Sequence, residues 1–201
     1  MKLHWKIFCI FLIATVAFSQ TSVEQTNQIF QGEKFVYAEG LSISSLGEFK
    51  ESWESASGFH VGYGIIYSDK GSLVLQTGYM DFKANEDGGV EEGSTFSVIP
   101  VQVGGRYYIT LDRFRPFLFA MNGFNIIQQD WATPDTSLNK TSWQYNFQVG
   151  LGLDVLLFSD LQIELAAKYN SHLLEPTIPY NITGLEYSVG LVWRLSPARK
   201  D

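Results

Sequence analysis

Tyr145–Leu157 alternates apolar and polar residues almost without a break. Tyr145, Phe147, Val149, Leu151, Leu153, Val155 and Leu157 share one parity, and Asn146, Gln148, Gly150, Gly152, Asp154 and Leu156 share the other. Successive side chains of an extended strand point to opposite faces, so the spacing predicts a strand with one apolar and one polar side. About ten residues of such alternation is what a tilted strand needs to cross a bilayer. The pattern returns at Leu161–Asn170 and Leu185–Leu195. Together with Phe35–Ser44, Gly58–Ser68, Ser72–Phe82, Phe96–Ile109, Arg115–Ile127 and the full Trp143–Leu157 segment, this gives eight strands. The first, third and fifth alternate less cleanly. In the first, Glu39 shares the parity of Tyr37 and Leu41, and a bulge is one device that would turn it inward.

The links between strands alternate in length. Asp69-Lys70-Gly71, Leu111–Phe114 and Phe158-Ser159-Asp160 are tight turns, whereas Ser45–Ser57, Lys83–Thr95, Gln128–Ser142 and Ser171–Gly184 are long. Short periplasmic turns and long extracellular loops are the habit of outer-membrane barrels. The expected fold is therefore all-β: an eight-stranded antiparallel transmembrane up-and-down β-barrel over residues 35–195. An even strand count puts both chain ends on the periplasmic side.

Two features choose lipid over water for the apolar face. The polar face carries glycine (Gly62, Gly64, Gly104, Gly150, Gly152, Gly190) and little charge, which suits the cramped interior of eight strands. A soluble barrel would instead show many Lys and Glu residues on its outer face. Aromatics also gather near strand ends, as interfacial belts require. Tyr67, Tyr107, Phe117, Phe158 and Trp193 lie toward the short turns; Phe59, Tyr79, Phe96, Phe124, Trp143 and Tyr169 lie toward the long loops.

Residues 1–19 read as a secretory signal peptide. Lys2 and Lys6 precede an apolar run, and Ala17-Phe18-Ser19 places small residues for cleavage before Gln20. Residues 20–34 form a polar periplasmic lead-in, and 196–201 a short tail. The one cysteine, Cys9, falls in the leader, so the mature chain has no disulfide or thiolate metal site. The formal charge of −7 argues against nucleic acid as a partner. Most of that acid sits in the long links, at residues such as Glu48, Glu51, Glu54, Glu86, Asp87, Glu91 and Glu92. A solvated rim is the favoured reading, ahead of divalent-cation bridging.

The lumen parity collects Gln102, Arg106, Asp154, Gln162, Glu164, Lys168, Glu186 and Arg194. Buried charge must be paired, so Arg106, Lys168 and Arg194 are expected beside Glu164, Asp154 or Glu186, as structural filling rather than as a gate. Catalysis would need a nucleophile, a base and an orienting acid together. Beyond the leader the histidines are His60 and His172, both expected near the outer rim, and neither belongs to a convincing set. No catalytic residue, metal or cofactor is assigned.

The last strand, Ser188-Val189-Gly190-Leu191-Val192-Trp193-Arg194-Leu195, resembles the C-terminal β-signal of outer-membrane proteins. Ser188, Gly190, Trp193 and Leu195 occupy its polar, glycine, aromatic and hydrophobic positions. The departures are a terminal leucine and the tail that follows. The mature chain is similar to OmpA/OmpX-type eight-stranded barrels. It is more narrowly similar to the outer-membrane β-barrel proteins of Bacteroidetes-type bacteria, through Ile99-Pro100-Val101, Arg106-Tyr107-Tyr108, Arg115-Pro116-Phe117 and Gly150-Leu151-Gly152-Leu153-Asp154. The resemblance implies outer-membrane lipid as surroundings and the barrel-assembly machinery as a partner in biogenesis; it brings no catalytic motif. Three roles stay open: a non-enzymatic surface or structural barrel, which is favoured, an accessory barrel for secretion or envelope assembly, and a lipid-modifying enzyme. No surface partner is named. If the signal operates, Trp193→Ala combined with Leu195→Ala lowers the outer-membrane level of the protein, measured by fractionation and immunoblotting. Unchanged levels would make the match accidental.

Overall fold

The computed structural model describes residues 32–85, 87, 94–132, 137–172 and 182–195. The signal peptide, the lead-in up to residue 31 and the tail lie outside the described residues. Eight strands close into one barrel in chain order. They are β1 (Lys34–Leu46), β2 (Trp53–Ser68), β3 (Gly71–Ala84), β4 (Thr95–Tyr108), β5 (Phe114–Ala132), β6 (Ser137–Leu156), β7 (Leu161–His172) and β8 (Thr183–Leu195). A single helical turn, α1 (Phe49–Ser52), interrupts the β1–β2 link. All neighbours are antiparallel, and β1 closes on β8 from Lys34↔Leu195 to Leu46↔Thr183. That closure leaves no strand edge around the belt, which is what a lipid environment demands of backbone polar groups.

The strands begin and end beyond the alternating segments at the long-loop end. β2 starts at Trp53 rather than Gly58, β5 runs to Ala132 rather than Ile127, and β6 starts at Ser137 rather than Trp143. Outside the apolar band both faces can be polar, so pairing continues where the two-residue period fades. The expected Gln128–Ser142 loop is therefore largely a hairpin.

The faces divide as the alternation requires on β6, β7 and β8. Leu151, Leu165, Val189 and Leu191 are exposed, Val149, Leu153 and Ile163 are half-exposed, and their neighbours in sequence point inward. β1 is the exception to the apolar-outside rule. Its inner face holds Phe35, Tyr37, Glu39, Leu41 and Ile43, while Val36, Ala38, Gly40 and Ser42 face outward. Glu39 is thus inward with no bulge, because the whole strand is set to that parity. Two belt assignments are corrected for the same reason. Phe96 and Phe117 are buried inside the barrel, whereas Tyr67, Tyr107, Phe158 and Trp193 at one end and Phe59, Tyr79, Phe124, Trp143 and Tyr169 at the other are exposed.

Glycine opens the space for inward aromatics. Gly62 pairs with Tyr37 and Gly64 with Phe35, and a Cβ at either glycine would strike the ring. Gly150 lies against Phe119 and Gly152 against Phe117 in the same way. Each ring covers the backbone of the glycine across the strand gap, which compensates for the missing side chain. Leu151, 61 % exposed and about midway in sequence between the exposed Trp143 and Phe158, is the sharpest probe of the lipid face. Leu151→Arg costs about 2–4 kcal/mol at a mid-bilayer position, read from reversible unfolding in lipid vesicles; a change near zero would place Leu151 outside the hydrocarbon.

Candidate functional site

The interior is filled by two apolar clusters with polar and charged groups between and below them. Toward the long loops, Leu41, Ile43, Phe49, Trp53, Met80, Phe82, Phe96, Val98 and Ile127 pack together. The α1 turn tucks Phe49 into this end, where its ring meets Phe82 at 5.1 Å and Phe96 at 5.4 Å. Toward the short turns, Phe35, Tyr37, Ile66, Val74, Tyr108, Phe117, Phe119, Met121 and Val192 form the second cluster.

The first charged group brings three strands together. Lys168 of β7 forms an ion pair with Glu39 of β1 and lies 2.9 Å from Glu186 Oε1 of β8. Ser188 Oγ donates to Glu39 Oε2 at 2.6 Å, and Asn170 Nδ2 and Gln148 Nε2 donate to Glu186 Oε2 at 2.9 and 3.1 Å. His60 Nδ1 is 2.9 Å from Glu39 Oε1 and 3.5 Å from Glu186 Oε1. Gln76 continues the chain, accepting from Tyr37 Oη at 2.6 Å and donating to Gln102 Oε1 at 2.9 Å. The second group lies nearer the short turns. Arg106 grips Glu164 with both terminal nitrogens. Its guanidinium also lies 4.6 Å from the Tyr37 ring centre and 5.0 Å from that of Phe117, so cation–π contacts surround the ion pair. Tyr108 Oη donates to Asp154 Oδ2 at 3.1 Å. With its amide oriented to satisfy both neighbours, Gln162 donates to Asp154 Oδ2 at 3.2 Å and accepts from Arg194 Nε at 2.7 Å.

All eight lumen residues picked out by parity are buried, but their partners differ in part from those expected. Arg106 has Glu164 and Lys168 has Glu186. Arg194 instead faces Gln162 and, at 3.9 Å, Glu33. Glu39, His60, Gln76 and Ser188 join the network as well. Glu39 was legible only as a charge on an apolar parity, and that anomaly was the signal. His60 is not at the rim: β2 begins five residues earlier than the alternation suggests, so the imidazole falls mid-strand and is 1 % exposed. His172 ends β7, its backbone paired with Asn146.

Glu39, His60 and Glu186 could each offer a metal-ligand atom, all within 4.8 Å of one another. The Lys168 ammonium already contacts both carboxylates, so one of the two negative charges is balanced by the chain itself. Two cavities, one lined by Ile43, Met80, Phe82, Val98 and Asn170 and the other by Phe35, Tyr108, Gln162 and Arg194, hold about 10 Å³ each. That is room for about one water.

In β8, Trp193 and Leu195 point outward, while Ser188 and Gly190 point inward. Gly190 stands opposite Glu39, and a Cβ there would come within 2.6 Å of the Glu39 Cβ. The glycine thus has a packing reason of its own: it admits the Glu39 side chain. At the long-loop end, β5 and β6 are the longest strands, 19 and 20 residues. Their pairing continues to Ala132↔Ser137, while β7 last pairs at Asn146↔His172. Along Ser137–Tyr145, β6 therefore has β5 on one side and no described strand on the other.

No family model matches the chain, and no curated relative matches it in sequence. Solved structures do match in fold. Ail, the attachment invasion locus protein of Yersinia pestis, aligns with a TM-score of 0.59 at 12 % identity, over 83 % of this chain and 100 % of Ail. Neisserial surface protein A aligns at 0.55 and 15 % identity, over 80 % and 96 % of the two chains. OprG of Pseudomonas aeruginosa aligns at 0.55 and 14 % identity, over 85 % and 99 %. These neighbours are small outer-membrane barrels, and the fold of this chain is the eight-stranded outer-membrane β-barrel of the OmpA/OmpX type.

The network makes a stability prediction. Lys168→Met leaves Glu39 and Glu186 buried with one cation fewer, which costs about 3–5 kcal/mol. Lys168→Met with Glu39→Gln and Glu186→Gln recovers most of that loss. Urea unfolding followed by the gel mobility of folded and unfolded barrel checks both; equal stability of the single variant and the parent would mean that Lys168 is not the cation holding the pair.

Proposed function

We propose that the protein is a non-enzymatic outer-membrane barrel whose role is exercised through its long-loop end, with the lumen serving as fixed structural filling. The observation that carries this reading is the β5–β6 hairpin. Its strands, the longest described, carry backbone pairing beyond the last described rung between β6 and β7, and an extended segment of another protein would add at this end. The lumen supports the same reading, since among the described residues it is filled by buried side chains around two cavities of about 10 Å³. Two of the fold neighbours carry surface roles in their names, an attachment invasion locus protein and a surface protein.

On this reading the signal peptide is removed near Ser19/Gln20. The barrel-assembly machinery reads Ser188, Gly190, Trp193 and Leu195, the short turns face the periplasm, and outer-membrane lipid surrounds the wall. The kinship with Bacteroidetes-type barrels belongs to the same proposal. The hairpin's partner is a protein outside the cell. A Yersinia pestis Ail structure holds a heparin analogue; the acidic links of this chain disfavour such a polyanion.

A photo-crosslinking residue at Asn139 tests the reading. On intact cells it captures protein, while one at Ser159 on the opposite end does not. Joining Gln128 to Thr141 by an Asn-Gly turn removes the hairpin tip, keeps the barrel folded and abolishes the capture. Altered lipid acylation in a deletion strain, restored by the wild type but not by His60→Ala or His172→Ala, would replace this reading with an enzymatic one. Lost secretion that the trimmed barrel still restores would favour an accessory role.

A further inference from the structure

The outer wall carries an amide where lipid should be. Asn122 lies on the outward face of β5 and is exposed. Its strand neighbours on that face are Ala120 and Phe124, and its cross-strand partners are Val103 on β4 and Phe147 on β6. Val103, Phe124 and Phe147 are themselves exposed, at 44, 54 and 40 %, so the amide is set within the apolar band. Phe124 marks the belt toward the long loops. Asn122 lies about 6–7 Å along the strand from it, toward the short turns, at a rise of about 3.3 Å per residue. No described residue hydrogen-bonds its side chain. An amide has two donors and an acceptor to satisfy, more than a hydroxyl that can turn back to a backbone carbonyl.

We infer that the β4–β5–β6 wall is a dimer interface in the membrane, in which Asn122 pairs with Asn122 of a second copy. Three observations select this occupant. An amide is self-complementary, donating and accepting in one planar group. A two-fold axis along the membrane normal brings each residue to its own counterpart at the same depth, so a second copy supplies a polar partner where few other molecules would. The wall beside Asn122 is also low. Ala120 is small, and Gly105, its cross-strand neighbour, presents bare backbone: a Cβ there would meet only Ser72 O, at 3.4 Å. Small residues beside a polar one are how membrane-embedded surfaces approach closely enough to hydrogen-bond.

The cysteine-free mature chain makes the test direct. Asn122→Cys in outer-membrane vesicles, treated with an oxidant or a short bis-maleimide, gives a cross-linked product of twice the monomer mass. Ala38→Cys, on the far wall in β1, stays monomeric. Asn122→Leu, compared with the parent by resonance energy transfer in vesicles, weakens association by roughly three- to tenfold, the span of single hydrogen bonds between membrane segments. Equal cross-linking at both cysteines, a product with a different protein, or unchanged association of Asn122→Leu would each overturn the assignment. Normal gel mobility of the heated and unheated variants establishes that each cysteine variant is folded.

Discussion

Closure of β1 on β8 is the constraint from which the rest follows. In hydrocarbon every backbone N–H and C=O must find a partner within the protein, so the sheet has to meet itself. Closing at eight strands fixes a bore that side chains just fill. The interior is therefore filled largely by side chains, and these cannot be uniformly large. Phe35, Tyr37, Phe117 and Phe119 turn inward only because Gly64, Gly62, Gly152 and Gly150 stand beside them. Glu39 fits because Gly190 faces it across the β1–β8 seam. The seam that closes the barrel is thus also the place where its central carboxylate is accommodated.

Charge inside such a bore is tolerated when it is matched on the spot. Lys168 stands between Glu39 and Glu186, and Arg106 meets Glu164 under a cover of aromatic rings. These groups come from β1, β4, β7 and β8, so the pairs tie strands that are distant in sequence. Burying them costs desolvation that their attraction only partly offsets. Their value lies in register: a strand slipped by one residue would send Lys168 or Glu186 into lipid. With apolar clusters above and below, the lumen becomes a set of fixed layers, and interaction is left to the outer wall and to the ends of the strands.

Much of this was written in the two-residue period. On β6, β7 and β8 the apolar parity meets lipid, so sequence alone places Leu151, Leu165 and Val189 outside and Gln148, Glu164 and Glu186 inside. β1 defeats that rule, because its aromatics fill the lumen and its outer face is made of small residues. Whether Tyr37 faces lipid or lumen depends on Gly62 in another strand, and no local pattern reports that. Phe96 and Phe117 mislead for the same reason. The ends of β5 and β6 were illegible because the apolar–polar alternation lapses in the sequence there, at Gln128-Gln129-Asp130 and Asn139-Lys140-Thr141-Ser142. The pairing of Arg194 with Gln162 and Glu33, and the reach of His60 into the Glu39 cluster, depend on barrel stagger, which sets which residues share a level. Asn122 was an ordinary polar residue in the sequence; only its outward placement among Val103, Phe124 and Phe147 makes it unusual.

The chain is a membrane barrel with an interior filled by side chains and an apolar exterior in contact with lipid. Nuclear Overhauser contacts between methyl-labelled, otherwise deuterated protein and protonated lipid in nanodiscs measure it without altering a residue. Acyl-chain contacts are expected for the methyls of Leu151, Leu165, Val189 and Leu191, and no lipid contacts for those of Leu41, Ile43, Val74, Val98 and Val192. Lipid contacts from the second group, or water contacts along the first, would contradict it.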